Sequence, residues 1–297
     1  MRNYFIFLIF VSSIALSACG HEETVVISDS GKEQVLVEES KVIRQLTSGM
    51  TAVALHYSDT RCNTRSWKRF WQRIARVFYN DACGYAWGRR QGFGWQLSLG
   101  CGAVTSVFTV AHIEEAAVCV SGVTVAYQDT TVVEQLGQAH NQIITTVVHE
   151  DADSLETSQE LVTDLNDAAF AAFIFPANHR KSNEFDLFNP EGMDYAIAVK
   201  QEFDFAQMMS LVQDLDAANE KAKSLFPNVH YCDDLDFLKE YVSNIVEIGD
   251  KSQIRLFTDE MCKSIDNAGL STERTLDLKA MMAIAENSYS LWIIEEK

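Results

Sequence analysis

Residues 91–113 include no aspartate, glutamate, lysine or arginine. Gly92, Gly94, Gly100 and Gly102 fall inside this run, and Gly84 and Gly88 stand just before it. An uncharged run of this length must be buried, either in a protein core or in a bilayer. The glycines add a second constraint. In a helix, Gly84, Gly88 and Gly92 recur every four positions and form a ridge with no side chains. Another helix can lie backbone to backbone on such a ridge. Each interior glycine costs a helix about 1 kcal/mol relative to alanine, so close packing has to offset it. Gln91, Gln96, Ser98, Thr105, Ser106, Thr109 and His112 make the run too polar for a membrane span. The pattern predicts a buried, glycine-rich helical hairpin at the centre of a folded domain, with residues 116–127 as its returning arm. A hairpin inserted into a bilayer is the alternative.

Charge is distributed unevenly around this run. The chain of 297 residues has a net charge of −18. Such acidity excludes general nucleic-acid binding, because phosphates would be repelled. Residues 61–90 run against it: Arg61, Arg65, Lys68, Arg69, Arg73, Arg76, Arg89 and Arg90 are opposed by Asp81 alone. The segment is therefore +7 and the rest of the chain −25. An asymmetry this large implies that the basic segment meets something anionic, a lipid surface or the protein's own acidic half. Within it, Trp67, Phe70, Trp71, Ile74, Val77 and Phe78 keep helical spacing, which predicts an amphipathic helix over 67–80. Its aromatic face fits a protein core or a membrane interface.

The N-terminus reads as an export signal. Arg2 precedes an apolar run over residues 4–16, and Leu16-Ser17-Ala18-Cys19 closes it with small residues and a cysteine. That order resembles a bacterial lipobox, which implies cleavage before Cys19 and a lipid on its sulfur. Gly20-His21-Glu22-Glu23 resembles the surface-export signal of Bacteroidota lipoproteins. Six cysteines remain beyond Cys19, with no readable pairing.

After the hairpin, capping boxes at Thr131–Glu134 and Thr157–Glu160 open two helices. Val133, Leu136, His140, Ile144 and Val147 mark one face of the first. A long helix is expected over 202–226, with Met208, Leu211, Leu215, Ala218 and Ala222 inward. Further helices follow over 234–248, 252–267 and 272–294.

Motifs for chemistry are sparse. Gln96 stands five residues before Cys101-Gly102, the order in which papain-like cysteine hydrolases hold an oxyanion-hole glutamine and a nucleophile. His140 with Asn141, or His149 with Asp151, would then supply the base. Against this, the apolar glycine-rich surroundings of Cys101 bury the thiol, and a buried thiol is inert. There is no HExxH, no Cys-x-x-Cys and no Walker loop, so neither a metal nor a cofactor is expected.

Three places together carry a family resemblance: Asp81-Ala82-Cys83-Gly84-Tyr85-Ala86-Trp87-Gly88 behind a basic helix, Gly137-Gln138-Ala139-His140-Asn141, and Ser288-Tyr289-Ser290-Leu291-Trp292. Over residues 66–295 the chain is similar to uncharacterised glycine-zipper-bearing exported lipoproteins of Bacteroidota. The resemblance implies that Gly84, Gly88, Gly92 and Gly100 form the zipper. It also implies that Gly137, His140, Asn141, Ser288 and Trp292 belong to the shared fold.

The expected organisation is a signal peptide over 1–18, a lipidated irregular tether over 19–66, and a mainly α, bundle-like domain over 67–297. Within that domain, 67–127 hold the basic helix and hairpin, and 128–297 the acidic half. The expected function is a non-catalytic binding or membrane-associated role in a cell-envelope lipoprotein of the outer membrane, held by Cys19. Residues 61–90 offer a second, anionic-lipid contact. A hydrolase using Cys101 and an exported membrane-inserting toxin- or immunity-like protein are the alternatives.

Overall fold

The arrangement is read from a computed structural model that describes residues 29–58, 65–113, 116–120, 132–148, 156–172, 195–226 and 228–296. The basic segment and the uncharged run form two long antiparallel helices, α2 (Arg65–Arg90) after an α1 (Asp29–Ala54), and α3 (Trp95–Ala111). Between α2 and α3, Gly92 has φ +81, the left-handed conformation that a tight turn requires and glycine adopts without cost. Fifteen of the 17 residues of α3 are buried. A helix apolar on every side has to be surrounded. Accordingly α2, α4 (Val132–Val147), α5 (Gln159–Ala172) and α6 (Tyr195–Ser210) all pack on it.

The remaining helices build outward. They are α7 (Leu215–Leu225), α8 (Cys232–Ile248), α9 (Lys251–Asp266) and α10 (Thr272–Leu291). Helix α10 lies on α2 and α4, α8 lies on α2, and α1 lies on α8. The fold is mainly α. One antiparallel pair of strands interrupts it, β1 (Ala116–Val120) with β2 (Trp292–Glu296), in the register Val118 opposite Ile294.

Side-chain pairs fix the directions. Arg44 meets Asp233 at 3.1 Å and Thr51 bonds Glu240, so α1 and α8 run parallel. Arg274 meets Asp234 at 2.7 Å and the Tyr289 hydroxyl reaches the Gly249 carbonyl at 2.9 Å, so α10 runs the same way. Helix α2 runs against them: Arg90 lies near Asp277, and Phe78 packs on Tyr289. The bundle thus has two ends. One holds Glu39, Arg90, Tyr231, Asp234 and Arg274. The other holds Tyr57, Trp71, Gly249 and Tyr289.

Three expectations are corrected. The tether is not irregular throughout, because Asp29–Ala54 is a helix that buries Ile43, Met50 and Ala54 against the domain. Leu46 and Val53 pack beside them, so the stripe has helical spacing, diluted by the buried polar residues Glu39 and Ser40. The helix expected over 202–226 is two helices. Asp214 caps the second by accepting from the Ala217 amide at 2.8 Å. Met208 and Leu211 are exposed, and Met209 takes the inward place. The returning arm begins as strand β1, not as a helix; residues 121–127 lie outside the described residues.

Candidate functional site

The glycines work differently from one another. A Cβ on Gly84 would stand 2.6 Å from the Cys101 carbonyl oxygen, and one on Gly88 3.0 Å from the Ser98 Cα. These two let α3 lie directly on α2. Gly92 is the turn and meets nothing within 4 Å, so it is not part of a ridge. Gly100 faces α5, where a Cβ would overlap Asn166. Gly102 presses on the Asp81 carbonyl, at 2.8 Å from its own missing Cβ, with the His140 ring beside it.

That last contact opens the first buried polar cluster. Asp81 on α2, Ser106 on α3, His140 on α4 and Ser288 on α10 are all fully buried. Trp292, just beyond α10, donates its indole N–H to Ser106 Oγ at 3.0 Å. His140 Nε2 lies 3.8 Å from Asp81 Oδ2. His140 Nδ1 faces Asn141 Oδ1 at 3.3 Å, and Asn141 Nδ2 donates to the Asn287 carbonyl at 2.9 Å. Burial disfavours charge on both partners. It pushes the Asp81 carboxyl up to about 8, a rise that Ser288, Ser106 and Trp292 around it only reduce. It brings His140 down to about 4. At neutral pH the pair therefore meets as carboxylic acid and neutral imidazole, a buried polar contact at 3.8 Å that is too long for a hydrogen bond and is not an ion pair.

The sequence-derived positions Gly137, His140, Asn141, Ser288 and Trp292 all fall in this region. The structure brings them together at the α4–α10 interface, where Gly137 lies against Ala283 and Asn287. Asp81 joins them from α2. Its signal was present in the sequence: it is the single acid among the basic residues of 61–90.

A second cluster locks the other face of α3. Asn166 on α5 donates to Glu202 Oε2 on α6 at 2.7 Å, and Glu202 is fully buried. Burial raises the Glu202 carboxyl to about 8, with Asn166 and Cys101 lowering it in part. Cys101 is fully buried, and burial first, then Glu202, pushes its thiol well above the usual range. Gln96, half-exposed in the first turn of α3, is five residues from Cys101 and so about 140° around the helix from it. His140 faces Asp81 and Gly102. Gln96, Cys101 and His140 are thus in one neighbourhood without the alignment of nucleophile, base and oxyanion donor that acyl transfer needs; His149 and Asp151 lie outside the described residues. Cys83, Cys101, Cys232 and Cys262 are free thiols. Among the described residues no group of three or more His, Cys, Asp or Glu could hold a metal ion.

The Glu202 carboxyl sets a pH dependence. A carboxyl raised on folding binds its proton more tightly in the native state. Its contribution is fully present below the unfolded value of 4.5 and is lost as pH rises through about 8. Glu202→Gln keeps an acceptor for Asn166 and cannot ionise. It is expected to stay within about 1 kcal/mol of the parent at pH 5 and to exceed it by about 4 kcal/mol at pH 9, one pKa unit being worth about 1.4 kcal/mol. Urea denaturation at the two pH values checks this; equal effects at both would refute it.

The third cluster was not legible in sequence. Arg274, 3% exposed, donates to Asp234 at 2.7 and 3.0 Å, to the His230 carbonyl at 2.9 Å and to Glu39 at 3.5 Å. Arg90 pairs with Asp277 at 2.9 Å and stacks over Tyr231, its Cζ 3.7 Å from the ring centroid. Arg89 lies 3.7 Å from Asp277. The end of the basic segment is therefore matched by the acidic half of the same chain. Arg76 is likewise buried, donating to the His112 carbonyl at 3.2 Å. Cys19, Arg61 and the side chains of Arg65, Lys68 and Arg69 lie outside the described residues.

No family model, curated protein or solved structure matches this chain. Among the described residues no helix is long and apolar enough to cross a membrane.

Proposed function

We propose that this chain is an exported lipoprotein of the bacterial cell envelope, held at the outer membrane by a lipid on Cys19, with a helical domain that acts by binding and not by catalysis. The observation that carries the reading is Leu16-Ser17-Ala18-Cys19 directly behind a short apolar run with a basic start. The geometry supports the non-catalytic part. Cys101, the nucleophile of the competing hydrolase, is a buried thiol with its ionisation suppressed. Attachment through the hairpin has less support than attachment through Cys19, because Gly84 and Gly88 are covered by α3. Arg89 and Arg90 are engaged by acidic residues of the chain itself.

The test is Cys19→Ala in cells fed radiolabelled palmitate. The parent chain is expected to carry label and to stay in the outer-membrane fraction after a carbonate wash. The variant is expected to lose both. A variant that stays membrane-bound through the wash would overturn anchoring by Cys19.

A further inference from the structure

We infer that the bundle stands on the bilayer by the end that carries Glu39 and Arg274, with the largely exposed residues 33–38 of α1 against the lipid and the start of α2 directed away from it. This rests on the lipid anchor at Cys19 proposed above. Ten residue steps separate Cys19 from Asp29, where α1 begins. Fully extended, such a length spans at most about 35 Å. The start of α1 therefore lies within about 35 Å of the bilayer, a little less than the length of α1 itself, about 39 Å.

Helix α1 then points the rest of the molecule outward. Its 26 residues rise by about 39 Å. It docks on the bundle through Glu39, which accepts from the Ser271 amide at 2.6 Å, and Ser40, which faces the His230 carbonyl at 3.5 Å. Before that point Glu33, Gln34, Val35, Val37 and Glu38 are exposed. Val35 is 47% exposed and Val37 39%, so apolar side chains next to the leash are partly open to the surroundings. A bilayer surface is the apolar and interfacial environment within the leash's reach, and short apolar stretches beside an acyl anchor add to its hold.

The opposite end is placed by the same contacts. Tyr57, just past α1, bonds Glu260, and Trp71 near the start of α2 stacks on Tyr289 at the end of α10. Leu55 and Leu256 are apolar, 67% and 51% exposed, and lie in the turn just past α1 and on α9. They serve as chemically matched controls.

The experiment uses the full lipidated chain in vesicles of phosphatidylethanolamine and phosphatidylglycerol. A photoreactive benzophenone side chain is placed singly at Val35, Leu55 or Leu256, and lipid adducts are counted after flotation. Severalfold more adduct is expected at Val35 than at either control. Floating protein that gives as much adduct at Leu55 or Leu256 lies flat or inverted, and overturns the orientation while leaving the anchor standing. Protein that fails to float overturns the anchor and the orientation together.

Discussion

Arg274→Ala is expected to lower the stability of the domain by about 3–5 kcal/mol, the range for removing one partner of a buried ion pair. The guanidinium is 3% exposed and binds two carboxylates and a backbone carbonyl from three different segments. It therefore ties α10 to α8, to the turn before α8 and to α1 at once. Its removal leaves Asp234 and Glu39 buried with too little positive charge beside them. Burial already pushes the Asp234 carboxyl up to about 6, against the pull of Arg274 and Arg90. Without Arg274 it rises further, and a carboxyl raised on folding loses its stabilising share as pH climbs. The deficit should accordingly be larger at pH 8 than at pH 5. Arg44→Ala is the control. Arg44 also pairs with an α8 acid, Asp233 at 3.1 Å, but its side chain is 58% exposed. Exposed pairs contribute about 1 kcal/mol or less. Urea midpoints for both variants at both pH values decide the matter. A similar small loss for the two arginines would show that burial does not set the cost.

The division between what the residues reveal and what they conceal follows from range. Local periodicity was readable where one face of a helix is buried. Val133, Leu136, His140 and Ile144 form such a face, and all four are buried. The uncharged run predicts a central helix, and α3 is that helix. Elements whose buried face includes polar groups were not readable in this way. Helix α1 docks through Glu39 and Ser40 as well as Ile43 and Met50, so its stripe does not stand out from the polar residues around it. The α6–α7 boundary shows a phase effect. A single helix over 202–226 keeps Met208, Leu211 and Leu215 on one face. The break before Asp214 resets the rotation, so that Phe205 and Met209 point inward on α6 and Leu215 and Ala218 on α7. The charged clusters were hidden for another reason. Arg90 and Asp277, or Glu39 and Arg274, are far apart in sequence, and charge totals predict only that the basic segment meets acid, not which acid. For the buried polar site, the sequence motifs pointed to residues of α4 and to Ser288 and Trp292. They did not point to Glu202 or Asn166, which read as ordinary polar residues until helices from elsewhere close over them.

Gly137→Ala tests whether the close approach of α4 and α10 holds that site together. Alanine is the better helix former, so intrinsic propensity alone would favour the change by about 1 kcal/mol. Packing opposes it. The added methyl would fall on the Ala283 carbonyl oxygen and on the Asn287 amide, and the backbone partner cannot swing aside as a side chain can. The helices must separate, and overpacking of this kind costs about 3 kcal/mol. The strain reaches the polar cluster. Asn287 donates back to the Ala283 carbonyl at 2.8 Å, and its own carbonyl accepts from Asn141, the neighbour of His140. Moving α10 outward also draws Ser288 and Trp292 away from Asp81 and Ser106. Gly49→Ala supplies the opposite case. Gly49 lies inside α1 with nothing within 4 Å of a new methyl, so here propensity acts alone and stability should rise by up to about 1 kcal/mol. Thermal melts of the two variants should move in opposite directions. Near-ultraviolet circular dichroism of the Gly137→Ala chain adds a local readout, since Trp292 packs at the centre of the cluster. A Gly137→Ala chain as stable as the parent would mean that α10 can move away from α4 at little cost, and the interface would then not be what orders the Asp81–His140 pair.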